Sequence, residues 1–250
     1  MTGAFRVLDR HLKVFARTWQ HNLMFNVMEP LLYLSAMGFG LGAFVQEIDG
    51  LSYIQFIAPG MVALSAMYSA TFECTYGTFV RLHYQKAFHA MLAGPITVRD
   101  VVIGEILYGT LKSVLFGIVI IFVIAALGQI QSFAALLIPL FLILPGALFS
   151  IMALSYTGIT TNIDYINYYI TLVIMPLFLF GGLYFPVSAL PLLVQKINWL
   201  NPLYHSVEVC RALALGQFSS ILWLHTIILL GLSLLLLPLP ITLMKKKLLS

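Results

Sequence analysis

The chain has 250 residues, of which 61% are hydrophobic and only 9% are charged, and its mean hydropathy is +0.99. Soluble domains carry roughly 45–50% apolar and about 25% charged residues. This composition therefore excludes a water-soluble fold, and with it disorder, a coiled coil and a disulfide scaffold. Cys74 and Cys210 lie far apart without metal-ligand spacing, which favours packing roles for both.

Six apolar runs are long enough for a transmembrane helix, which needs about 20 residues. They cover residues 23–45, 53–76, 100–127, 133–157, 166–185 and 221–243. The strands of a membrane β-barrel would instead be alternating segments of about 10 residues. The sequence therefore predicts an all-α polytopic membrane protein with six transmembrane helices, folded as a single domain over residues 1–250.

The distribution of basic residues predicts the orientation of these spans. Ten of the 13 Lys and Arg residues fall on one side, in the N-terminal segment, after the second span and in the C-terminal tail. Short loops rich in Lys and Arg stay in the cytoplasm, so both termini are predicted to be cytoplasmic. No cleavable signal is expected, because charges are scattered through residues 6–17 instead of preceding a short apolar core.

Residues 1–22 are predicted to form an amphipathic interface helix. Apolar residues recur at steps of three and four, and basic residues follow the same rhythm on the opposite face. This pattern suits a helix lying in the membrane interface, although a soluble helix packed on a partner protein would share it. The apolar residues are Phe5, Leu8, Leu12, Phe15 and Trp19, and the basic ones are Arg6, Arg10, Lys13 and Arg17.

The segment 77–99 follows the second span and is predicted to contain a short cytoplasmic helix that ends at Gly94-Pro95. It is too polar to enter the membrane, yet it carries several apolar residues for burial. A helix of this balance could dock in a groove on a cytoplasmic partner or lie in the interface without one, and periodicity favours neither. The apolar residues are Phe79, Leu82, Phe88, Met91 and Leu92.

The segment 186–216 is too apolar for an exposed loop and is interrupted by Pro186, Pro191 and Pro202. Irregular backbone inside a membrane is tolerated only where protein or a cavity shields it. We expect two short helices that dip into the outer leaflet, in preference to helices lying flat on the outer surface.

Four ionisable residues fall within the predicted spans, namely Glu29, Glu73, Glu105 and Lys112. Each costs roughly 2.5–3.5 kcal/mol at the membrane centre and is therefore a functional candidate. The three glutamates should cluster towards the cytoplasmic side, with Lys112 nearer mid-depth. They could form a polar opening for a headgroup, pair with one another (Lys112 with Glu105 or Glu73), or extend to the interface.

The sequence lacks the motifs of catalysis and nucleotide binding. It has no His-Glu-x-x-His, no Gly-x-Ser-x-Gly, no carboxylate pair at helical spacing within one span and no Cys/His metal set, and its six histidines are expected to be ordinary interfacial residues. No Gly-Lys dipeptide occurs, so the chain has no phosphate-cradling loop. If the protein uses ATP, another chain must hydrolyse it.

The order of these segments resembles the membrane subunit of type-2 ABC exporters, a permease class that includes exporters of polysaccharides and lipo-oligosaccharides. The motifs that carry the resemblance cover nearly the whole chain: Arg17-Thr-Trp19, residues 28–42, residues 53–61, Ala93-Gly-Pro-Ile96, residues 181–186 and residues 201–211. Within the class, residues 28–42 and Ala70-Thr-Phe-Glu73 are most similar to permeases of nodulation-factor exporters, whose cargo is a lipo-chitin oligosaccharide. This similarity does not identify the cargo of the present chain.

The resemblance implies a homodimer bound to two ABC ATPase subunits in the inner (cytoplasmic) membrane of a bacterium. This chain would be a transport subunit and not an enzyme, exporting an amphipathic lipid-, glycolipid- or oligosaccharide-type substrate. It would bind membrane lipids but no cofactor and no nucleic acid, because ATP and Mg²⁺ belong to the partner ATPase. The coupling helix would lie within residues 79–92, with contacts from Phe79, Arg81, Leu82, Lys86, Phe88, His89 and Met91.

The predicted substrate pathway combines the in-span charges with a charged pair near the exit. Its residues are Glu29, Glu73, Glu105 and Lys112 on the cytoplasmic side and Glu208 with Arg211 on the outer side. Residues 186–216 would correspond to the re-entrant helices that help to close the pathway in this class. Three alternatives stay open: an intramembrane enzyme acting on lipid-linked sugars with the carboxylates as acid and base, a multidrug-type exporter permease, and a non-transporting assembly scaffold.

Overall fold

The structure is a computed structural model that describes residues 3–45, 47–48 and 50–249, and the side chains of residues 21–23, 25–27, 29 and 249 lie outside the description. Nine helices and one short hairpin make up the described part. In chain order they are α1 (Gly3–Ser35), β1 (Glu47–Ile48), β2 (Leu51–Ser52), α2 (Tyr53–Tyr84), α3 (Ala87–Leu92), α4 (Val98–Ala126), α5 (Phe133–Ile159), α6 (Ile163–Phe180), α7 (Leu192–Asn198), α8 (Pro202–Leu215) and α9 (Ile221–Leu248).

Five helices of the described part are long and apolar enough to cross a membrane. They are α2, α4, α5, α6 and α9, and they coincide with the second to sixth predicted spans. The all-α, polytopic membrane class is confirmed. Because the structure contains no membrane, the orientation of these helices stays a prediction.

The first predicted span, residues 23–45, includes residues whose side chains lie outside the description, so this span stays a prediction. The interface helix and this span form one continuous helix, α1, because residues 18–29 contain neither Gly nor Pro to end it. A wide turn (Ala36–Gly40) and a 3₁₀ turn (Leu41–Ala43) extend α1. Among the described residues, Pro30–Ala43 is a shorter apolar helix, and most side chains of residues 21–29 lie outside the description.

Local capping explains where two of the helices begin. At the start of α4, the hydroxyl of Thr97 accepts from the Asp100 backbone N–H at 3.2 Å, and the Asp100 carboxylate accepts from the Thr97 N–H at 3.0 Å. This reciprocal pair is a capping box. At the start of α8, Oδ1 of Asn201 accepts from the Leu203 N–H at 2.9 Å, and Pro202 fills the first helical position, where no donor is needed.

The central element is α2, which is almost entirely buried between α1, α4, α5 and α8. By contrast, α6 and α9 leave most of their apolar side chains at least partly exposed. Exposed apolar helix faces are expected where lipid or another subunit replaces water.

The first turns of α1 pack along the first turns of α4. Gly104 permits this contact, since a Cβ at that position would lie 2.6 Å from the Cβ of Val7. The buried face of α1 holds Ala4, Val7 and His11. Of the predicted interface residues, Phe5, Leu12 and Trp19 are exposed, while Leu8 and Phe15 are half-buried.

The segment 186–216 contains the two expected short helices, α7 and α8. Most of α8 is buried against α2 and α9, whereas α7 exposes Leu192, Leu193 and Ile197. Whether they dip into a membrane stays a prediction.

Candidate functional site

Five ionisable side chains form a buried cluster where α2 ends and α4 begins. We call it the ion-pair cluster, and its members are His11 from α1, Glu73 and Arg81 from α2, and Glu105 and Lys112 from α4. Glu105 is fully buried, and Glu73 and Lys112 are nearly so. Buried charges are tolerated when they are paired and hydrogen-bonded.

Bases and acids alternate through the cluster. Nε2 of His11 lies 2.9 Å from Oε1 of Glu105, and Nη2 of Arg81 lies 2.5 Å from Oε2 of the same carboxylate. The Nη1 atom of Arg81 lies 2.5 Å from Oε1 of Glu73, and Lys112 donates from Nζ to Oε2 of Glu73 at 2.7 Å. Thr78 adds a hydroxyl that donates to Oε2 of Glu105 at 2.8 Å. The cluster therefore joins α1, α2 and α4.

Two wide turns in α2 bring Glu73 and Arg81 onto one face. In a regular α-helix, residues eight apart point about 80° away from each other. The wide turns Glu73–Gly77 and Val80–Tyr84 each hold more residues than a regular α-helical turn. They therefore remove the angular offset between Glu73 and Arg81. At the end of the first wide turn, Gly77 leaves room for the ion pair, because a Cβ there would lie 2.6 Å from Oε1 of Glu73 and 3.2 Å from Nη1 of Arg81.

The structure brings together three of the four in-span charges that the sequence singled out. Glu73 and Lys112 pair directly, and Glu105 joins them through Arg81. The Glu29 side chain lies outside the described residues. Sequence reasoning missed His11, which it took for an interfacial residue, and it placed Arg81 on the coupling surface.

Tyr108 covers one side of the cluster with its ring. The imidazole of His11 stacks on it at a centroid distance of 4.9 Å, and the charged groups of Arg81 and Lys112 lie 5.8 Å and 5.9 Å from its centroid. An aromatic face attracts cations. The stacking explains how basic groups are accommodated here with little water.

Residues 79–92, at the end of α2 and in α3, have a buried side and an exposed side. Phe79, Leu82 and Phe88, which were expected to contact an ATPase, are buried inside the chain, and Met91 is half-buried. Within residues 79–92, the exposed residues are Tyr84, Gln85, Lys86, His89 and Ala90. We call these five residues the exposed coupling surface.

Lys86 separates α2 from α3 with a left-handed backbone conformation, φ +53°. It is the one residue other than glycine with a positive φ in the described part of the chain. Non-glycine residues adopt this conformation at a cost and often at functional turns. Here it directs the chain sharply from α2 into α3.

The predicted pair of Glu208 and Arg211 is present in α8, with Nη1 of Arg211 2.6 Å from Oε1 of Glu208. Arg211 also donates to the carbonyl oxygens of Phe56, at 3.2 Å, and Gly182, at 2.8 Å. Its guanidinium lies 3.9 Å from the ring centroid of Phe56. Arg211 thus fastens α8 to the start of α2 and to the turn after α6.

A second buried pair, His205 and His225, joins α8 to α9. Nε2 of His205 donates to the Trp199 carbonyl at 2.9 Å, so its neutral Nδ1 accepts from Nδ1–H of His225 at 2.6 Å. The Trp199 ring stacks on His225 with a 7° interplanar angle. Burial lowers the pKa of His205 below its usual value, and the hydrogen bond to Trp199 opposes this only in part.

An aromatic row follows a face of α2 that opens to the surface. Tyr68, Phe72 and Tyr76 stack at successive turns, with centroid distances of 5.8 Å and 6.1 Å. Tyr76 donates from its hydroxyl to Oδ1 of Asn167 in α6 at 2.8 Å. Phe178 of α6 lies 6.3 Å from Tyr68. These rings form a continuous surface between α2 and α6.

Comparison with known proteins identifies the family of this chain. The profile of the family described as ABC-2 type transporter matches residues 3–215, which include the ion-pair cluster, the exposed coupling surface and α8. The chain belongs to the ABC-2 type transporter family. Members of this family are the membrane permease subunits of ABC transporters, so this chain is a multi-pass transport subunit.

Several curated relatives of this ABC-2 type permease cover most of its length. Nodulation protein J of Rhizobium meliloti (strain 1021) is 38% identical over 196 residues, 78% of this chain and 75% of the relative. Nodulation protein J of Neorhizobium galegae is 33% identical over 219 residues, 88% and 84% of the two chains. The inner membrane transport permease YadH of Escherichia coli (strain K12) is 26% identical over 202 residues, 81% and 78%. The permease class expected from the sequence is confirmed.

Proposed function

We propose that this chain is the membrane-spanning permease of an ATP-driven exporter that moves an amphipathic lipid-, glycolipid- or oligosaccharide-type substrate outward across the inner membrane of a bacterium. The observation that carries the proposal is the family match over residues 3–215 together with the nodulation protein J relatives. Two copies of the chain would pair with two copies of a separate ATPase. The ATPase would bind the ATP and Mg²⁺.

The positive charges support an orientation with both termini in the cytoplasm. In that orientation, the ion-pair cluster and the exposed coupling surface both lie at the cytoplasmic end of the bundle. The ATPase would dock on Tyr84, Lys86 and His89, which are exposed. Its movement would reach α2 directly, since Arg81 lies only five residues before Lys86.

The aromatic row between α2 and α6 supports a substrate path along this face. Aromatic rings with hydroxyl groups offer both an apolar surface and hydrogen-bonding groups, as an amphipathic molecule requires. Phe72 and Tyr76 are the parts of this row that reach the surface of the single chain. A second copy facing α6 would enclose them in a path between the two subunits.

An intramembrane enzyme is the weaker alternative. A catalytic acid or base needs a carboxylate that can exchange protons with substrate. Within the described residues, Glu73 and Glu105 are each held by two basic side chains and are buried. This arrangement stabilises both carboxylates in their charged form and leaves neither poised for acid–base chemistry.

The pairing with an ATPase is tested by co-expressing the tagged chain with an ABC ATPase from the same organism and measuring the mass of the purified complex by native mass spectrometry. We expect two copies of each subunit and ATP hydrolysis that depends on the complex. Purification of the chain without an ATPase, combined with turnover of a lipid-linked sugar by the chain alone, would contradict the proposal.

A further inference from the structure

A cavity of about 310 Å³ lies directly beside the ion-pair cluster, between α1, α2 and α4. Its walls include Arg10 and His11 from α1, Arg81 from α2 and Tyr108 from α4. No Asp or Glu lines it among the described residues. The two nearby carboxylates are buried behind the basic groups that hold them.

The charges around this cavity do not cancel. Within the ion-pair cluster, Arg81 and Lys112 offset Glu73 and Glu105. Arg10 forms no ion pair with any residue that the structure describes, so its positive charge remains. The cavity therefore has a positive potential in a place partly shielded from water, where electrostatic attraction is stronger than in bulk solvent.

The cavity chemistry matches a phosphate. A guanidinium group binds phosphate oxygens with two parallel N–H donors, and Arg10 is not engaged by a carboxylate. A volume of about 310 Å³ lies at the lower end of ligand pockets, which suits a headgroup and not a whole oligosaccharide. We propose that this cavity binds a phosphate group, with Arg10 as the principal contact, and that the phosphate belongs to an acidic lipid headgroup of the inner leaflet.

The surroundings of Arg10 favour a lipid as the source. On the same helix, Phe5, Leu12 and Trp19 are exposed, as expected for a helix in contact with lipid. Cytoplasmic leaflets are rich in anionic lipids, and basic residues near them gain binding energy. The assignment to a lipid rests on the proposed function in one respect, namely the orientation that places the cavity at the cytoplasmic leaflet.

Native mass spectrometry of the purified chain tests the site without any ATPase. The protein is released from nanodiscs that contain phosphatidylglycerol and phosphatidylcholine in equal amounts, and retained lipids are identified. The variants are Arg10→Gln and Val14→Trp, since Val14 lines the cavity and a larger side chain there would fill it without removing a charge. The matched control is Arg6→Gln, which removes the same charge from an exposed position of α1 outside the cavity.

We expect the wild-type chain and Arg6→Gln to retain phosphatidylglycerol preferentially, and Arg10→Gln to bind it about tenfold more weakly, as the loss of one charge-assisted contact predicts. Val14→Trp should lose the lipid as well. Equal retention by Arg10→Gln and Arg6→Gln, or no preference of the wild type for the acidic lipid, would overturn the proposal. These outcomes are independent of ATPase pairing, so they separate this inference from the proposed function.

A second arm identifies the source of the phosphate. Inorganic phosphate is titrated into the detergent-purified protein without acidic lipid, and thermal unfolding is followed. A lipid site predicts little stabilisation by free phosphate. Stabilisation of the wild type but not of Arg10→Gln, with no retention of phosphatidylglycerol, would overturn the lipid assignment and assign the cavity to a soluble phosphate.

Discussion

The guanidinium of Arg81 binds the carboxylate of Glu105 through two nitrogen atoms, Nη2 at 2.5 Å from Oε2 and Nε at 3.2 Å from Oε1. This two-point contact fixes the relative orientation of α2 and α4, because both groups are planar. The remaining nitrogen of Arg81 holds Glu73. Arg81 therefore links the end of α2 to α4, and Glu105 in turn contacts His11 of α1.

Replacement of Glu105 by Gln should destabilise the chain by about 3–5 kcal/mol, because it leaves part of a buried charge network without its counter-charge. Thermal or denaturant unfolding in mixed micelles measures the change. Lys13→Gln is the control, since the exposed pair of Lys13 with Asp9 contributes little. An equal, small effect of both substitutions would show that the cluster does not stabilise the fold.

Replacement of Gly77 by Ala should disturb the ion-pair cluster, because it adds a Cβ atom to the backbone beside it. The added Cβ would lie 2.6 Å from Oε1 of Glu73, and such overpacking typically costs about 1–3 kcal/mol. Gly40→Ala is the matched control, because no described atom lies within 4 Å of a Cβ there. If the two variants unfold at the same temperature, Gly77 is not needed to accommodate the ion pair.

Much of the membrane architecture could be predicted from the sequence, because long apolar runs mark helices that cross lipid. The pairing of Lys112 with Glu73 was among the alternatives stated from the sequence, since both residues were costly to bury alone. The position of Arg81 could not be predicted from spacing, because it depends on the two wide turns of α2. A regular helix would have turned Arg81 away from Glu73.

The role of His11 was also beyond sequence reasoning. Its position on the buried face of α1 follows from the contact of Val7 with Gly104, which involves two distant segments. The burial of Phe79 and Phe88 was likewise beyond sequence reasoning. Their apolar character suggested a docking surface for a partner, but the chain buries both against its own helices.

Substitutions on the exposed coupling surface should weaken docking of the ATPase without changing the stability of the chain. Tyr84→Ala and His89→Ala should weaken association with the ATPase and reduce ATP hydrolysis by the complex, while thermal unfolding of the chain stays unchanged, because both side chains are exposed. Phe88→Ala should instead lower the free energy of unfolding by about 3–5 kcal/mol, as expected for a fully buried aromatic ring. Full activity of the double variant Tyr84→Ala/His89→Ala would exclude this docking site.

Acidification should weaken the contact between α8 and α9. The pKa of His205 is lower in the folded chain than in the unfolded chain because of burial, so the unfolded state takes up more protons as the pH falls. The stabilisation is complete above the unfolded pKa of about 6.5 and is lost as the pH falls through the folded value. The unfolding temperature should therefore decrease below about pH 6.5, and His205→Gln should show a smaller decrease. Parallel pH profiles of the two proteins would contradict this.

ATP-driven export by the complex is the central claim, and proteoliposomes test it most directly. The chain and its ATPase are reconstituted with a fluorescent short-chain glycolipid, with the ATP-binding face outside, and a membrane-impermeant quencher reports how much probe remains in the outer leaflet. The account predicts that ATP moves the probe to the protected inner leaflet, and that no movement occurs without ATP or without this chain. Movement at the same rate in either control, or with a hydrolysis-deficient ATPase, would contradict it.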